Sequence, residues 1–129
     1  MLPEDFLPLL GRGQVVLTQG FIGCTSENFT TTLGREGSDF TAAILAHAAQ
    51  ADEVVIWKDV TGILNADPRF FEDAQKLKSL SYAEAIELAY FGAKVIHPKT
   101  IQPLKDKKIP LRVRSFVDGT NDGTVVSEG

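Results

Sequence analysis

Thr30-Thr31-Thr32-Leu33-Gly34-Arg35-Glu36-Gly37-Ser38-Asp39 runs straight into Phe40-Thr41-Ala42-Ala43-Ile44-Leu45. The pattern is a loop that becomes a helix. Gly34 and Gly37 free the backbone to turn tightly or to approach a ligand. Ser38 suits the N-cap, which puts Asp39 in the first turn, where backbone N–H groups point outward and anions are favoured. Arg35 adds a planar cationic fork beside them. Hydroxyls, free amides, a guanidinium and a carboxylate thus meet in one short segment. The plainer reading is a Gly-rich turn capped by Ser38, with Arg35 and Asp39 merely solvated. Both readings stand on the residues alone.

Working outward, Gln14-Val15-Val16-Leu17-Thr18-Gln19 is a short β-branched apolar run. It is expected to be a buried strand, closed by Gly20 and Gly23. The polar, Thr-rich Cys24–Thr32 stretch then reads as a loop. The Ala-rich pattern from Ser38 to about Gln50 is helical and suits close packing on a sheet. Val54-Val55-Ile56-Trp57 reads as a second strand, buried on both faces. Strand, helix, strand implies a right-handed crossover and parallel pairing. Lys58 to Arg69 follows directly, at the carboxyl end of a strand, where open α/β sheets bind ligands. On the residues alone the favoured reading is a surface loop closed by an Asp-Pro turn, with Arg69 paired to Asp67.

Further on, Ser81-Tyr82-Ala83-Glu84 is a capping box, and its helix is expected to stop at Gly92. Ile86, Ala89 and Tyr90 share one face and are read as core. Pro98 fits the first position of another helix, running to about Lys105. His97 before it reads as structural, with no nucleophile partner in evidence, and His47 in the earlier helix reads as a packed or exposed side chain, with no partner at metal spacing. Ile109 to Phe116 is a third strand with Pro110 near its start, and Thr124-Val125-Val126 a last short one. Asp118-Gly119 and Asp122-Gly123 are turn signals. Ahead of all these, Pro3 with Glu4 and Asp5 opens a short helix that Gly11 and Gly13 end.

The bulk properties exclude several classes. The chain has 129 residues and a formal net charge of −4, with both signs mixed. That argues against a general nucleic-acid binder or a basic membrane-surface protein. Cys24 is the single cysteine, so no internal disulfide forms and a reducing cytoplasm is the expected home. Met1 to Leu10 lacks a basic n-region and reads as no signal peptide, and no apolar run is long enough to span a bilayer. No Gly-x-x-x-x-Gly-Lys-Ser/Thr loop occurs.

Three ordered motifs carry a family resemblance over nearly the whole chain, from about Gln14 to Val126. Thr31-Thr32-Leu33-Gly34-Arg35-Glu36-Gly37-Ser38-Asp39 resembles the aspartate kinase signature, which usually has Gly where Glu36 stands. Trp57 to Arg69 resembles that family's nucleotide loop, with Lys58 where Thr is frequent and Leu64 where Tyr is frequent. Gly92-Ala93-Lys94-Val95-Ile96-His97-Pro98 resembles its later lysine motif. The resemblance implies an α/β three-layer sandwich with a mostly parallel central sheet, part of the amino-acid kinase (carbamate kinase-like) fold. It makes residues 1–129 the C-terminal, nucleotide-binding half of that domain. The family's N-terminal Lys-Phe-Gly-Gly-Thr-Ser segment and its ACT domains are not in the sequence.

The same resemblance implies transfer of the ATP γ-phosphate to the side-chain carboxylate of L-aspartate. It assigns Arg35 and Ser38 to the aspartate, and Asp39 to orienting a phosphate-binding lysine and the reacting groups. Lys58, Asp59 and Leu64 fall at the nucleoside end of the nucleotide loop, and Arg69 and Lys94 at the phosphates. Mg²⁺ is expected on the phosphates and water rather than on side chains. The partners implied are L-aspartate, ATP and the missing N-terminal half, with a homo-oligomer left open. Rival readings are another enzyme of the fold, of the glutamate or acetylglutamate kinase type, and a non-catalytic nucleotide-binding or assembly module. Alone, the chain is expected to have little or no aspartate kinase activity.

Overall fold

A computed structural model describes residues 3–20, 22–24, 30–32, 37–59, 62–64, 75–90, 96–118 and 122–128. In chain order these form α1 (Pro3–Gly11), β1 (Ile22–Cys24), β2 (Thr30–Thr32), α2 (Gly37–Ala49), β3 (Val54–Lys58), β4 (Ser79–Ser81), α3 (Tyr82–Tyr90), α4 (Pro98–Asp106), β5 (Leu111–Ser115) and β6 (Thr124–Ser127). The main sheet has the order β3-β5-β6-β4. β3 runs parallel to β5 and β4 parallel to β6, while β5 and β6 are antiparallel. The class is therefore α/β with a mixed, mainly parallel sheet, as expected.

Register explains the core. Val54 lies opposite Leu111, Leu111 opposite Val126, and Val126 opposite Leu80, so one buried row crosses all four strands. Ile56, Val113 and Thr124 make a second row. Side chains alternate faces along a strand, so these rows share one face. Ala43 and Ala46 of α2, Ala85 of α3 and Ile101 and Leu104 of α4 join the same buried cluster. The other face carries Val55, Trp57, Arg112, Arg114 and Val125, none of them buried. The Arg114 guanidinium lies 4.9 Å from the centre of the Trp57 ring, a cation–π contact that shields part of it.

Local rules account for the boundaries. The capping box is present: Ser81 N–H donates to Glu84 Oε2 at 2.8 Å and Glu84 N–H to Ser81 Oγ at 3.1 Å. His97 is structural, since its Nδ1 accepts from Lys99 N–H at 3.0 Å and caps α4, with Pro98 at its start. The turn into β6 needs Gly123, whose φ is +74° and where a Cβ would lie 1.8 Å from the Val113 carbonyl oxygen.

Several expectations change. Residues 14–19 belong to no helix or ladder among the described residues, and Val15 and Leu17 are each 95% exposed. β3 consequently pairs with β5 and not with this run. β3 is also buried on one face only, because Val55 and Trp57 face away from the helices. The supposed loop at Cys24–Thr32 contains paired ends: β1 and β2 form an antiparallel pair, Ile22 opposite Thr32. Ser38 lies inside α2, which starts at Gly37, so it is no N-cap. Tyr90 is exposed, and α3 buries Tyr82 and Ala85 instead, with Ile86 only partly covered. Gly92 as a helix stop lies outside the described residues.

Tyr82 spans the gap between α3 and the strand that follows α4. Its buried hydroxyl donates to the Ile109 carbonyl at 2.6 Å. Burial, with a smaller contribution from Glu128, pushes this phenol above its ordinary value of 10.0. An acid whose pKa is raised by folding keeps its proton in the folded state while the unfolded chain loses it. Its contribution to stability is complete below pH 10 and is lost as pH rises through the folded value. The free energy of unfolding in urea is therefore expected to fall more steeply above about pH 10 in the parent than in Tyr82→Phe. At pH 7 the same variant is expected to cost about 1–2 kcal/mol, since Ile109 keeps a buried, unanswered carbonyl.

Candidate active site

Three chain segments converge at the carboxyl rim of the sheet. The first is the opening turn of α2. Gly37 and Asp39 are buried there, Ser38 is exposed, and the Thr41 hydroxyl donates back to the Gly37 carbonyl at 3.0 Å. The second is the end of β3, which ejects Lys58 toward that turn. Lys58 Nζ donates to Asp39 Oδ2 at 2.7 Å, with the two side chains 24% and 12% exposed. The third is the end of β5. Phe116 N–H donates to the Lys58 carbonyl at 3.0 Å, and Ser115 Oγ accepts from the N–H groups of Val117 and Asp118, each at 3.0 Å.

The ion pair has good reason to form. A carboxylate in the first turn of a helix is favoured by the helix dipole, and a lysine on the terminal residue of a strand can reach it. At 2.7 Å the contact is a charge-assisted hydrogen bond. Neither partner is more than a quarter exposed, so water screens the pair less than it would an ordinary surface pair. The motif read as an acceptor site and the motif read as a nucleotide loop are thereby joined by one contact.

Asp59 follows as an exposed residue. The neck of the nucleotide-loop motif is built next. Ile63 N–H donates to Thr124 Oγ1 at 2.9 Å, and the Thr124 hydroxyl donates to the Leu77 carbonyl at 2.5 Å. Leu77 N–H donates to the Ile63 carbonyl at 2.9 Å, and Leu64 bridges Lys76. One buried hydroxyl thus ties both sides of the neck to β6. Gly62 is required beside it, because a Cβ there would lie 2.6 Å from Thr124 Oγ1.

Of the residues singled out from sequence, Asp39 and Lys58 are brought into contact, and Ser38 precedes Asp39 as an exposed residue. Lys58, assigned to the nucleoside end, is held on Asp39. Leu64 stands half-buried at the loop neck, apart from that cluster in the chain but anchored to the same sheet. Arg35, Arg69 and Lys94 lie outside the described residues, as do Asp67 and Pro68. Thr124 was missed as a loop anchor. Its sequence context, Thr-Val-Val, signals only a short strand, and its partners lie 61 and 47 residues away.

The chain belongs to the amino acid kinase family, whose sequence pattern matches residues 2–115. Within that class its similarity is to aspartokinases. It is 50% identical over 122 residues to lysine-sensitive aspartokinase 3 of Escherichia coli (strain K12), covering 95% of this chain and 27% of that protein. It superposes on the crystal structure of E. coli aspartokinase III in complex with aspartate and ADP (R-state) with a TM-score of 0.88 and 46% identity, over 97% of this chain and 28% of that one. UMP kinase from Bacillus anthracis shares the fold at a TM-score of 0.62 and 19% identity, over 71% of this chain and 41% of that one. The chain thus spans about a quarter of the E. coli relative, 27% of its length. Among the described residues, no helix is long and apolar enough to cross a membrane.

Three variants probe this geometry through folding alone. Lys58→Met leaves the Asp39 carboxylate without its ammonium and is expected to cost about 1–3 kcal/mol in urea unfolding. The double variant Lys58→Met/Asp39→Asn is expected to recover part of that loss, giving a positive coupling in the cycle. Thr124→Val removes both tethers of the loop neck and is expected to cost about 2–3 kcal/mol.

Proposed function

We propose that this chain is the C-terminal, nucleotide-binding half of an aspartate kinase domain. The whole enzyme transfers the ATP γ-phosphate to the side-chain carboxylate of L-aspartate, giving 4-phospho-L-aspartate, the first step toward lysine, threonine and methionine. The observation that carries the reading is the Lys58–Asp39 contact, which joins the acceptor motif to the nucleotide loop at the sheet rim. The similarity to an aspartokinase whose structure holds aspartate and ADP supports it.

An aspartate carboxylate is already ionised at neutral pH, so no strong general base is needed. A carboxylate oxygen attacks the γ-phosphorus, the bond from that phosphorus to the bridging oxygen breaks, and ADP leaves with the electron pair. The barrier is the approach of two anions, which positioning and fixed cations offset. In this reading Arg35 forks onto a carboxylate of the bound aspartate and Ser38 lines the same pocket. Asp39 acts as the catalytic positioning carboxylate. Lys58, Asp59 and Leu64 line the nucleotide site, and Arg69 and Lys94 meet the phosphates. Mg²⁺ would be held mainly through the nucleotide phosphates, and no side chain of this chain is assigned to it. The remaining partner is the N-terminal half of the kinase domain, and a reducing cytoplasm suits the lone Cys24.

The test is a completed enzyme, with residues 14–126 replacing the matching stretch of the E. coli relative, followed by ADP release. Aspartate is expected to support turnover and glutamate not to; turnover with glutamate alone would point to another kinase of the fold. Robust turnover by the isolated chain would contradict the assignment of half a domain. In the completed enzyme Arg35→Lys is expected to raise the apparent KM for aspartate about tenfold and that for ATP far less, because a two-pronged grip becomes a point charge. Equal changes in both constants would remove Arg35 from the acceptor site.

A further inference from the structure

Lys58 stands in the segment that the family resemblance assigns to the nucleoside, yet its ammonium is held elsewhere. Strand alternation puts Lys58 in the row of Val54 and Ile56, on the sheet face that α2 packs, while Trp57 between Ile56 and Lys58 faces away. The backbone at this point is fixed. Lys58 lies opposite Ser115 in the β3–β5 register, and its carbonyl accepts from Phe116 N–H at 3.0 Å. From there the four-carbon side chain carries Nζ to 2.7 Å from Asp39 Oδ2. Asp59, the next residue in the motif, is exposed.

In the proposed reading Asp39 is the carboxylate that orients the reacting groups. Any group it orients directly lies within about 8 Å of Lys58 Nζ, the span of two hydrogen bonds and one carboxylate. A lysine covers such a distance by changing rotamers. Its ammonium carries three N–H donors in no fixed plane, so one can stay on Asp39 while another turns to a phosphoryl oxygen. The Lys58 side chain is 24% exposed and that of Asp39 12%, so the ammonium is the partner more open to an arriving anion. The threonine frequent at this position in the family that the sequence resembles ends in a hydroxyl on Cβ and brings no charge.

We propose that Lys58 is a cation of the phosphoryl-transfer centre and not a nucleoside contact. It rests on Asp39 and, with ATP and aspartate bound, is shared between that carboxylate and an oxygen of the transferring γ-phosphoryl group. No proton moves in this role, and the ammonium stays charged throughout. Its charge offsets the approach of the two anions and counts most in the transition state, where they are closest. The proposal rests on the assignment of the chain to an aspartate kinase and specifies which end of ATP this residue serves.

The test uses the completed enzyme described above, with Lys58→Met, Lys58→Arg and Asp39→Asn introduced into it. Lys58→Met is expected to lower kcat about a hundredfold, with the KM for ATP changed less than about threefold and the preference for ATP over GTP in kcat/KM unchanged. Lys58→Arg keeps the charge and the pair with Asp39, so it folds even where Lys58→Met does not. It is expected to lose about tenfold in kcat, again with the nucleotide preference unchanged. The Lys58→Met/Asp39→Asn double variant is expected to lose little more than the worse single variant, because the two residues act as a unit. A raised KM for ATP with kcat retained, or a shifted ATP-to-GTP preference, would return Lys58 to the nucleoside and overturn the proposal. A lowered melting temperature with both kinetic constants unchanged would make the contact purely structural and overturn it as well. A parent without aspartate-dependent ADP release removes the proposed function together with this role. An active parent with either of the two preceding outcomes removes this role alone.

Discussion

Lys58 Nζ and Asp39 Oδ2, 2.7 Å apart, fix where α2 begins relative to where β3 ends. α2 is joined to β3 through a short connection at its far end, so its near end needs a separate anchor. The ion pair supplies one, and it does so with charge rather than with shape. That choice has a chemical consequence. In the proposed reading the rim handles anions, and a rim cation held by a carboxylate keeps its place when no substrate is bound. A buried carboxylate at a helix start, facing a strand-end lysine, supplies both with two residues.

The sheet that carries this rim is built from two rows of side chains, Val54–Leu111–Val126–Leu80 and Ile56–Val113–Thr124. Only one of its faces is packed by α2, α3 and α4. The rows hold the carboxyl ends of β3 and β5 level, which brings Lys58 opposite Ser115 and lets β5's exit hydrogen-bond to the Lys58 carbonyl. At the other end of the second row, Thr124 trades core membership for a polar task. Its hydroxyl answers Ile63 N–H and the Leu77 carbonyl, so a buried strand residue sets the neck of the loop that the family resemblance assigns to nucleotide.

How much of this was legible beforehand depended on whether the deciding partner was near in sequence. The capping box Ser81–Glu84 and the His97-Pro98 helix start involve residues within three positions of each other, and both are present as read. α2, β3, β5 and β6 appear within a residue or two of their expected bounds, because hydrophobic period and Gly/Pro punctuation are local signals. The β1–β2 pair was missed, since its strands are only three residues long. Tyr90 was placed in the core because helical spacing finds a stripe without saying which edge of it faces the sheet.

By itself the sequence determined the class of the fold, the order of the motifs and the family, because each is written in contiguous residues with characteristic backbone needs. Tertiary structure alone decided three things. It placed Lys58 on Asp39 across 19 residues, and it tied Thr124 to a loop neck 61 residues earlier. It also left Val15 and Leu17 in water. The physical reason is common to all three. Whether a side chain is paired, tethered or bare depends on what the rest of the chain brings beside it, and apolar periodicity records a readiness to be buried without naming the surface that does the burying.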